Sequence, residues 1–251
     1  MLKITVWNES KHEGKAYPSG MSEAIREGLA QNAEFDVACA YLSEPEQGLP
    51  DSLLNETDVL LWWGHSKHEK VDDALVDRIV KRVNDGMGII FLHSAHYSKA
   101  FKKLMGTHCS LRWREKEGEA ERVWTVAPHH PIAKGVEQGF RLDGEEMYGE
   151  HFDIPTPDEL IFIGWFSGGN VFRSGCTFSR GEGRIFYFQP GHETFPIFYD
   201  KNIRLILNNA CLWAAKKEEA TNDFVANPDC IHEKETLEEV RQKTKKKFFR
   251  L

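Results

Sequence analysis

The sequence predicts an α/β protein: a mostly parallel central sheet between two layers of helices, with an added antiparallel β lobe. Three observations predict it. Short continuous apolar runs such as "DVLLWWG" (58–64) and "GIIFLH" (88–93) have the length and composition of strands buried on both faces. Segments with helical apolar periodicity alternate with them, which calls for βαβ connections. From about Arg112 to Gly183 the helical pattern stops and strand-like pieces follow one another.

The elements follow in order. "KITVWN" (3–8) reads as the first strand. A helix follows, with Met21, Ala24, Ile25 and Leu29 on one face and Ser19 in position to cap it. "DVACAYL" (36–42) is the second strand and 58–63 the third. The stretch 71–86 is a helix: acids open it, Val76, Ile79, Val80 and Val83 line it, Lys81 and Arg82 fall near its end, and Gly86 stops it. Strand 88–93 and a short helix over 98–106 come next. "RVWTVAP", "FRLDGEEMYG", "ELIFIGWF" and "VFRSGCTFSRG" then read as hairpins of the added lobe. The segment 184–189 returns to the parallel sheet as its fifth strand, and 200–217 is a helix with Ile203, Leu207, Ala210 and Ala214 on its apolar face. The expected division is a globular α/β domain over 1–216, then a linker and a C-terminal helical tail over 217–251. The tail's last twenty residues hold seven Lys or Arg against four acids, in a chain whose formal charge is −7. Such a tail suits packing on its own domain or on a second copy in a homo-oligomer, and equally a solvated, frayed end.

Composition narrows the function. A net charge of −7 argues against non-specific nucleic-acid binding. No apolar run approaches a membrane span and no basic-then-apolar leader opens the sequence, so a cytoplasmic protein without membrane association is expected. Five scattered cysteines without a CxxC suit free thiols rather than disulfides or a zinc knuckle. No GxGxxG follows the first strand, so neither nicotinamide nor flavin is expected.

In an open parallel sheet, ligands bind beyond the carboxyl ends of the strands. The predicted strand ends are rich in polar residues. Asn8, Glu9 and His12 follow the first strand, and His65 and His68 follow "LLWWG". His93, Ser94 and His96 follow "IIFL", and His192 and Glu193 follow "IFYFQPG". Random placement would not favour strand ends in this way. The acids of "GEEMYGE", Glu146 and Glu150 among them, lie in a segment whose pattern gives them no structural reason.

Three chemistries fit these residues. His65, His93 and His192, with a carboxylate from Glu150 or else from Glu146 or Glu9, can hold a divalent metal such as zinc, since neutral imidazole is its commonest ligand. His93 and Glu146, with Ser94 beside them, can act as acid and base on a sugar hydroxyl or on a carbon next to a carbonyl. Alternatively the histidines only hydrogen-bond a sugar. Glu9, His12, Trp63, His68, His96, Tyr148 and Gln189 are the candidate substrate contacts, because a sugar needs hydroxyl partners and flat aromatic walls.

The segments "VWNESKH", "LLWWGHSKH", "FLHSAHYSKAFKKLMGT", "GEEMYGE", "VFRSGCTFSRGEGRIFYFQPGHETFP" and "NNACLWAA" together resemble the ThuA-like (trehalose utilisation) family over residues 3 to 215. That family looks like class I glutamine amidotransferases without their glutaminase machinery. The resemblance implies a flavodoxin-like three-layer sandwich and a sugar-related role, here action on a disaccharide or keto-sugar; with no dinucleotide motif, any redox step calls for a partner sugar dehydrogenase. It does not imply glutaminase activity. Where amidotransferases carry G-x-C-x-G after a buried strand, this chain has "FLHSA", with Phe91, His93 and Ala95 in place of Gly, Cys and Gly. Where they carry F-H-P-E it has "FQPG", with Gln189 in place of the base. Thiol and base are both absent from these positions, and Ser94 lies in no G-x-S-x-G. The alternative is a non-catalytic carbohydrate-binding or regulatory protein on the same scaffold.

Overall fold

A computed structural model describes residues 1–218. The expected C-terminal helical tail therefore lies outside the described residues.

Nine strands form one sheet in the order β2-β1-β3-β4-β9-β8-β7-β5-β6. The parallel half consists of β1 (Leu2–Asn8), β2 (Phe35–Tyr41), β3 (Val59–Trp63), β4 (Gly88–Leu92) and β9 (Gly183–Phe188). The other half, β5 (Arg112–Thr125), β6 (Gly139–Gly149), β7 (Glu159–Phe166) and β8 (Val171–Arg180), is antiparallel throughout. The expected separate lobe is thus a continuation of the sheet, which is mixed rather than mostly parallel. The join is the β8–β9 hairpin, whose "RGEG" turn lays β8 antiparallel along β9 and leaves β9 parallel to β4.

Every residue of β3 and β4 is buried, as their unbroken apolar runs require. Alternate side chains feed two cores. Leu61, Trp63, Ile90, Leu92, Phe186 and Phe188 pack under α1 (Met21–Leu29) and α5 (Lys201–Ala214). On the opposite face Leu60, Trp62, Ile89, Phe91, Ile185 and Tyr187 pack under α3 (Asp73–Asn84) and α4 (Lys99–Met105). A one-turn helix, α2 (Asp51–Glu56), was not evident in the sequence pattern, being too short to show a period. Ser19 does not cap α1: the capping position is Gly20, with no side-chain hydrogen bond. Among the described residues no helix is long and apolar enough to cross a membrane.

The β5–β6 hairpin does not run straight. Its register shifts between Arg114 and Glu119 and again between Glu119 and Glu121. Such irregularities bend the strand that carries them. The β6 limb returns over β8 and β9, where Glu150 N–H donates to Val171 O at 3.2 Å and Gln189 Nε2 donates to Glu146 O at 3.2 Å. Although β6 is the edge strand of the sheet, its last residues therefore lie above the carboxyl ends of β4 and β9.

Candidate active site

The carboxyl ends of β3, β4 and β9 deliver His65, His93 and His192 to one place, and the bent β6 brings Glu146 to meet them. One ligand-capable atom from each of the four lies within 4.8 Å of all the others. His93, Glu146 and His192 are buried and His65 is half-buried.

Each imidazole is held from behind. His93 follows β4 directly, with φ +53°, a left-handed backbone that a non-glycine residue adopts only when its surroundings enforce it. Its Nδ1 faces Gln189 O at 3.0 Å, and Tyr187 OH donates to its carbonyl at 3.1 Å. His65 Nδ1 faces the Glu193 carboxylate at 3.0 and 3.1 Å. His192 Nδ1 accepts from the Thr194 N–H at 3.3 Å and meets the Thr194 hydroxyl at 2.8 Å. The chain before His192 turns at Gly191, with φ +144°, where a Cβ would meet Phe198 at 2.9 Å. Gly191 N–H donates to Glu145 at 2.7 Å and its carbonyl accepts from Trp63 Nε1 at 2.9 Å. Glu145 also accepts from the N–H groups of Glu146 and His192 at 2.8 and 3.2 Å, so this buried carboxylate ties the β6 and β9 contributions together.

The carbonyl beside His93 Nδ1 can only accept, so Nδ1 carries the hydrogen and the lone pair of the neutral ring is on Nε2. That atom lies 3.0 Å from Glu146 Oε2. Two lone pairs at this separation repel unless a proton or a cation lies between them. Glu146 Oε2 and His192 Nε2 are also buried without a hydrogen-bond partner, a costly state for a polar atom. Three imidazoles and one carboxylate, backed by carbonyl, carboxylate and hydroxyl partners, fit a divalent first-row transition metal better than calcium or magnesium, which favour all-oxygen sets.

The charges have identifiable causes. Burial alone would lower His65, but the Glu193 carboxylate outweighs it and the net shift is upward. Burial, reinforced by His93, pushes His192 down to about 4. Burial would raise Glu193, but the hydrogen bond from His65 prevails and holds it at about 2. Glu146 is likewise raised by burial and lowered more by its contacts with His93. Burial raises Glu145 and pushes the Tyr148 phenol well above its ordinary value.

A cavity of about 400 Å³ adjoins the group, and His65 and Glu146 form part of its wall. Ser94, Tyr148, His68 and His96 line it too. Ser94 Oγ and Tyr148 OH are 2.6 Å apart, and Tyr148 OH is 3.4 Å from His93 Nε2. Burial pushes His68 down to about 4 and His96 down to about 3, so both are neutral at physiological pH. A larger groove of about 810 Å³ opens beside Leu2, Phe35, Thr57 and Met87, by the amino ends of the parallel strands. Among the described residues no histidine lines it.

Several sequence expectations need correction. Glu150 is not in the group. The chain leaves β6 at Gly149, and the Glu150 carboxylate is taken by Arg173 Nε and Nη2 at 2.8 and 2.9 Å and by Phe152 N–H at 2.8 Å. Trp63 offers no surface to a substrate: it is fully buried in the core under α1 and α5. The Glu9 carboxylate is occupied by the backbone N–H groups of His65, Ser66 and Lys67, so it shapes the loop that carries His65. Gln189 is fully buried, with its amide between Glu146 O and Ser174 Oγ. His12 packs edge-on against Trp63, outside the cavity wall. Two cavity aromatics escaped the sequence reading, Tyr97 and Trp113. Trp113 lies in a charged stretch, and only its exposure in the structure singles it out.

Comparison with known proteins decides the family. The family model described as ThuA, trehalose utilisation, matches residues 3–214. The chain belongs to the ThuA family. That membership implies a sugar-metabolism role related to trehalose utilisation. Among solved structures, a ThuA-like protein of Parabacteroides merdae is 16% identical, with a TM-score of 0.61 over 90% of this chain and 93% of that one. A ThuA-like protein of Bacteroides uniformis is 17% identical, with a TM-score of 0.60 over 88% and 94%. A cytoplasmic protein of Salmonella typhimurium is 13% identical, with a TM-score of 0.58 over 85% and 99%. At these identities the likeness establishes a shared fold. No curated protein matches the sequence.

Proposed function

We propose that this ThuA-family protein is a metal-assisted enzyme of sugar metabolism, acting on a disaccharide or keto-sugar at the cavity beside His65, His93, Glu146 and His192. The observation that carries the reading is the confrontation of His93 Nε2 with Glu146 Oε2 at 3.0 Å, with the tautomer of His93 fixed by Gln189 O. His65, His93, Glu146 and His192 would hold a divalent cation. When bound, such an ion supplies Lewis-acid polarisation of an oxygen.

The chain's own residues supply the rest. Gln189, Glu193 and Thr194 orient the three rings. Tyr148, neutral because it is buried, keeps its hydroxyl between Ser94 and His93 and can donate a hydrogen bond or a proton to an oxygen beside Glu146. The parallel half runs β2-β1-β3-β4-β9, the strand order of flavodoxin-like sheets, and supports reading that half as one. The left-handed backbone at His93 occupies the elbow where an amidotransferase presents its thiol, so glutaminase activity is not expected.

Elemental analysis of untagged protein tests the reading, alongside a panel of disaccharides and their keto derivatives before and after chelation. The parent should carry about one transition-metal ion per chain. His93→Ala and His192→Ala should lose it, and His108→Ala, on the surface, should keep it. If the parent holds no metal after exposure to zinc, manganese, iron, cobalt and nickel, the metal reading fails. The same 3.0 Å contact then favours a protonated His93 paired with Glu146 as an acid–base couple.

A further inference from the structure

Helix α5 ends in a way that orders the chain beyond it. Lys216 is left-handed, with φ +58°; its N–H donates to Trp213 O at 3.0 Å, and the Lys217 N–H donates to Leu212 O at 2.8 Å. This pair of bonds is a Schellman turn, which satisfies the last carbonyls of a helix and ends it sharply, with glycine the usual residue at its left-handed position. Glu218 is held as well. Its Oε1 accepts from Arg184 Nη1 at 2.5 Å, and the same Nη1 donates to Trp213 O at 2.8 Å.

The exit opens into a trough. Lys217 and Glu218 stand in the wall of a cavity of about 490 Å³. That cavity shares Glu34, Leu212 and Lys217 with the groove of about 810 Å³ at the amino ends of the parallel strands, so the two adjoin. Leu2, Leu212 and Ala215 line the groove; each is half-buried, packed against the core under α1 and α5 and open on the side of the trough. Met1, 83% exposed, stands beside them. Apolar groups gathered along one trough call for an apolar cover. The trough is poorly placed for a small ligand, since open parallel sheets bind ligands beyond the opposite, carboxyl ends. Its Arg82 is already engaged, with Nε donating to Leu54 O at 3.2 Å and Nη2 to Thr57 O at 2.9 Å. The chain that continues from Glu218 carries a fitting cover: "EATNDFVANPDCI" (219–231) sets Phe224, Val225 and Ile231 among polar residues. Six residues span at most about 20 Å, so Phe224 and Val225 are tethered beside the trough at high effective concentration.

We infer that this trough is the docking site of the chain's own segment 219–231, with Phe224 and Val225 covering Leu2, Leu212 and Ala215. The inference is independent of the proposed metal chemistry, which lies at the other ends of the strands.

The test uses Cys230 of the full chain as a reporter, trapped as a disulfide with a cysteine introduced elsewhere. Glu34→Cys and Asp85→Cys place the second thiol at exposed positions of the trough wall. His129→Cys places it at an exposed position near the exit but outside both cavity walls: the adjacent His130 packs on Trp213 with ring centroids 5.3 Å apart. Under mild oxidation, at least one trough position is expected to form a disulfide within a single chain about tenfold or more faster than His129→Cys. That rate should not change on dilution, and Cys230→Ser should abolish the product. Adding Phe224→Ser with Val225→Ser should bring the trough rate down to that of His129→Cys. Equal rates at all three positions would show a segment that does not dock and would overturn the inference. So would a disulfide between two chains whose rate rises with protein concentration, which would give the trough to a second copy. A trough rate unchanged by the Phe224 and Val225 substitutions would overturn it too.

Discussion

The two halves of the sheet solve different problems. In the parallel half, β3 and β4 are buried on both faces, and their residues are there to fill two cores. Trp62 stacks on Trp7 with ring centroids 3.7 Å apart, and Trp63 points the other way into the second core. The antiparallel half leaves Trp113, Trp165 and Val171 exposed, while burying acids that no apolar pattern would place inside: Glu121, Glu145 and Glu146. The parallel half presents imidazoles at its strand ends. The antiparallel half bends, and the bend delivers Glu146 and Tyr148. The site built across the seam uses both: three strand ends for the imidazoles and a bent strand for the carboxylate.

That contrast can be broken or sharpened by measurement. The largest effect expected is in the parallel core. Trp62→Ala should cost about 3–5 kcal/mol in denaturant unfolding, as large aromatic truncations in close-packed interiors do. Trp165→Ala, exposed on the antiparallel half with Arg122 over its ring, should cost under about 1 kcal/mol. Equal costs would show that the two halves are packed alike.

The next effect concerns the seam. If β6 supplies a true ligand, Glu146→Gln should weaken metal binding by about 100-fold or more with little change in melting temperature, since replacing even residues behind a ligand costs 10- to 100-fold. Glu150→Gln should leave metal binding near the parent level and destabilise the Arg173 contact instead. The reverse ranking would return Glu150 to the site.

The third expectation is the pH dependence of the metal-free protein. Burial pushes His68 down to about 4 and His96 down to about 3, while in the unfolded chain each titrates near 6.5. Both are neutral in both states above pH 6.5. As pH falls below that value the unfolded chain takes up protons first, so stability drops, by at most about 1.4 kcal/mol per pH unit for each histidine. The melting temperature should therefore fall between pH 6.5 and pH 4.5. His96→Gln should flatten that slope, and an unchanged slope would contradict the burial argument.

The smallest effect runs the other way. Glu121 is fully buried, one of its oxygens has no partner, and burial followed by the charge of Glu145 raises it well above its ordinary value. The unfolded carboxyl ionises near pH 4.5 while the folded one keeps its proton to higher pH, so its presence costs more stability as pH rises across that window. Glu121→Gln should raise the melting temperature at pH 8 by the equivalent of about 1 kcal/mol, and by less at pH 5. A destabilised variant at pH 8 would mean that Glu121 is ionised and paired.

The difference between the halves also explains what could be read in advance. Period and apolarity placed the five parallel strands and the helices α1, α3, α4 and α5, because burial on both faces leaves a continuous signal in sequence. His65, His93 and His192 were legible as a group for the same reason: once the strands are known, their carboxyl ends are known. Glu146 and Glu150 were not distinguishable, because the alternation of β6 puts both on one side and only the exit of the chain at Gly149 separates them. Trp63 was misread because a buried indole and a sugar platform look alike in a sequence.

By itself the sequence determined the alternation of strands and helices, the family, the absence of an elbow thiol at His93, and which strand ends would be polar. Those properties are local, set by periodicities of two and 3.6 residues and by residue identity. The tertiary structure alone decided that the antiparallel strands extend the same sheet, that the register shifts near Glu119 bend β5 and β6 over β9, and that Glu146 lands 3.0 Å from His93 while Glu150 goes to Arg173. It also decided which tryptophan faces water. The physical reason is that a bend, a pairing partner and an exposure are set by contacts between residues far apart in the chain, and no window of neighbouring residues encodes them.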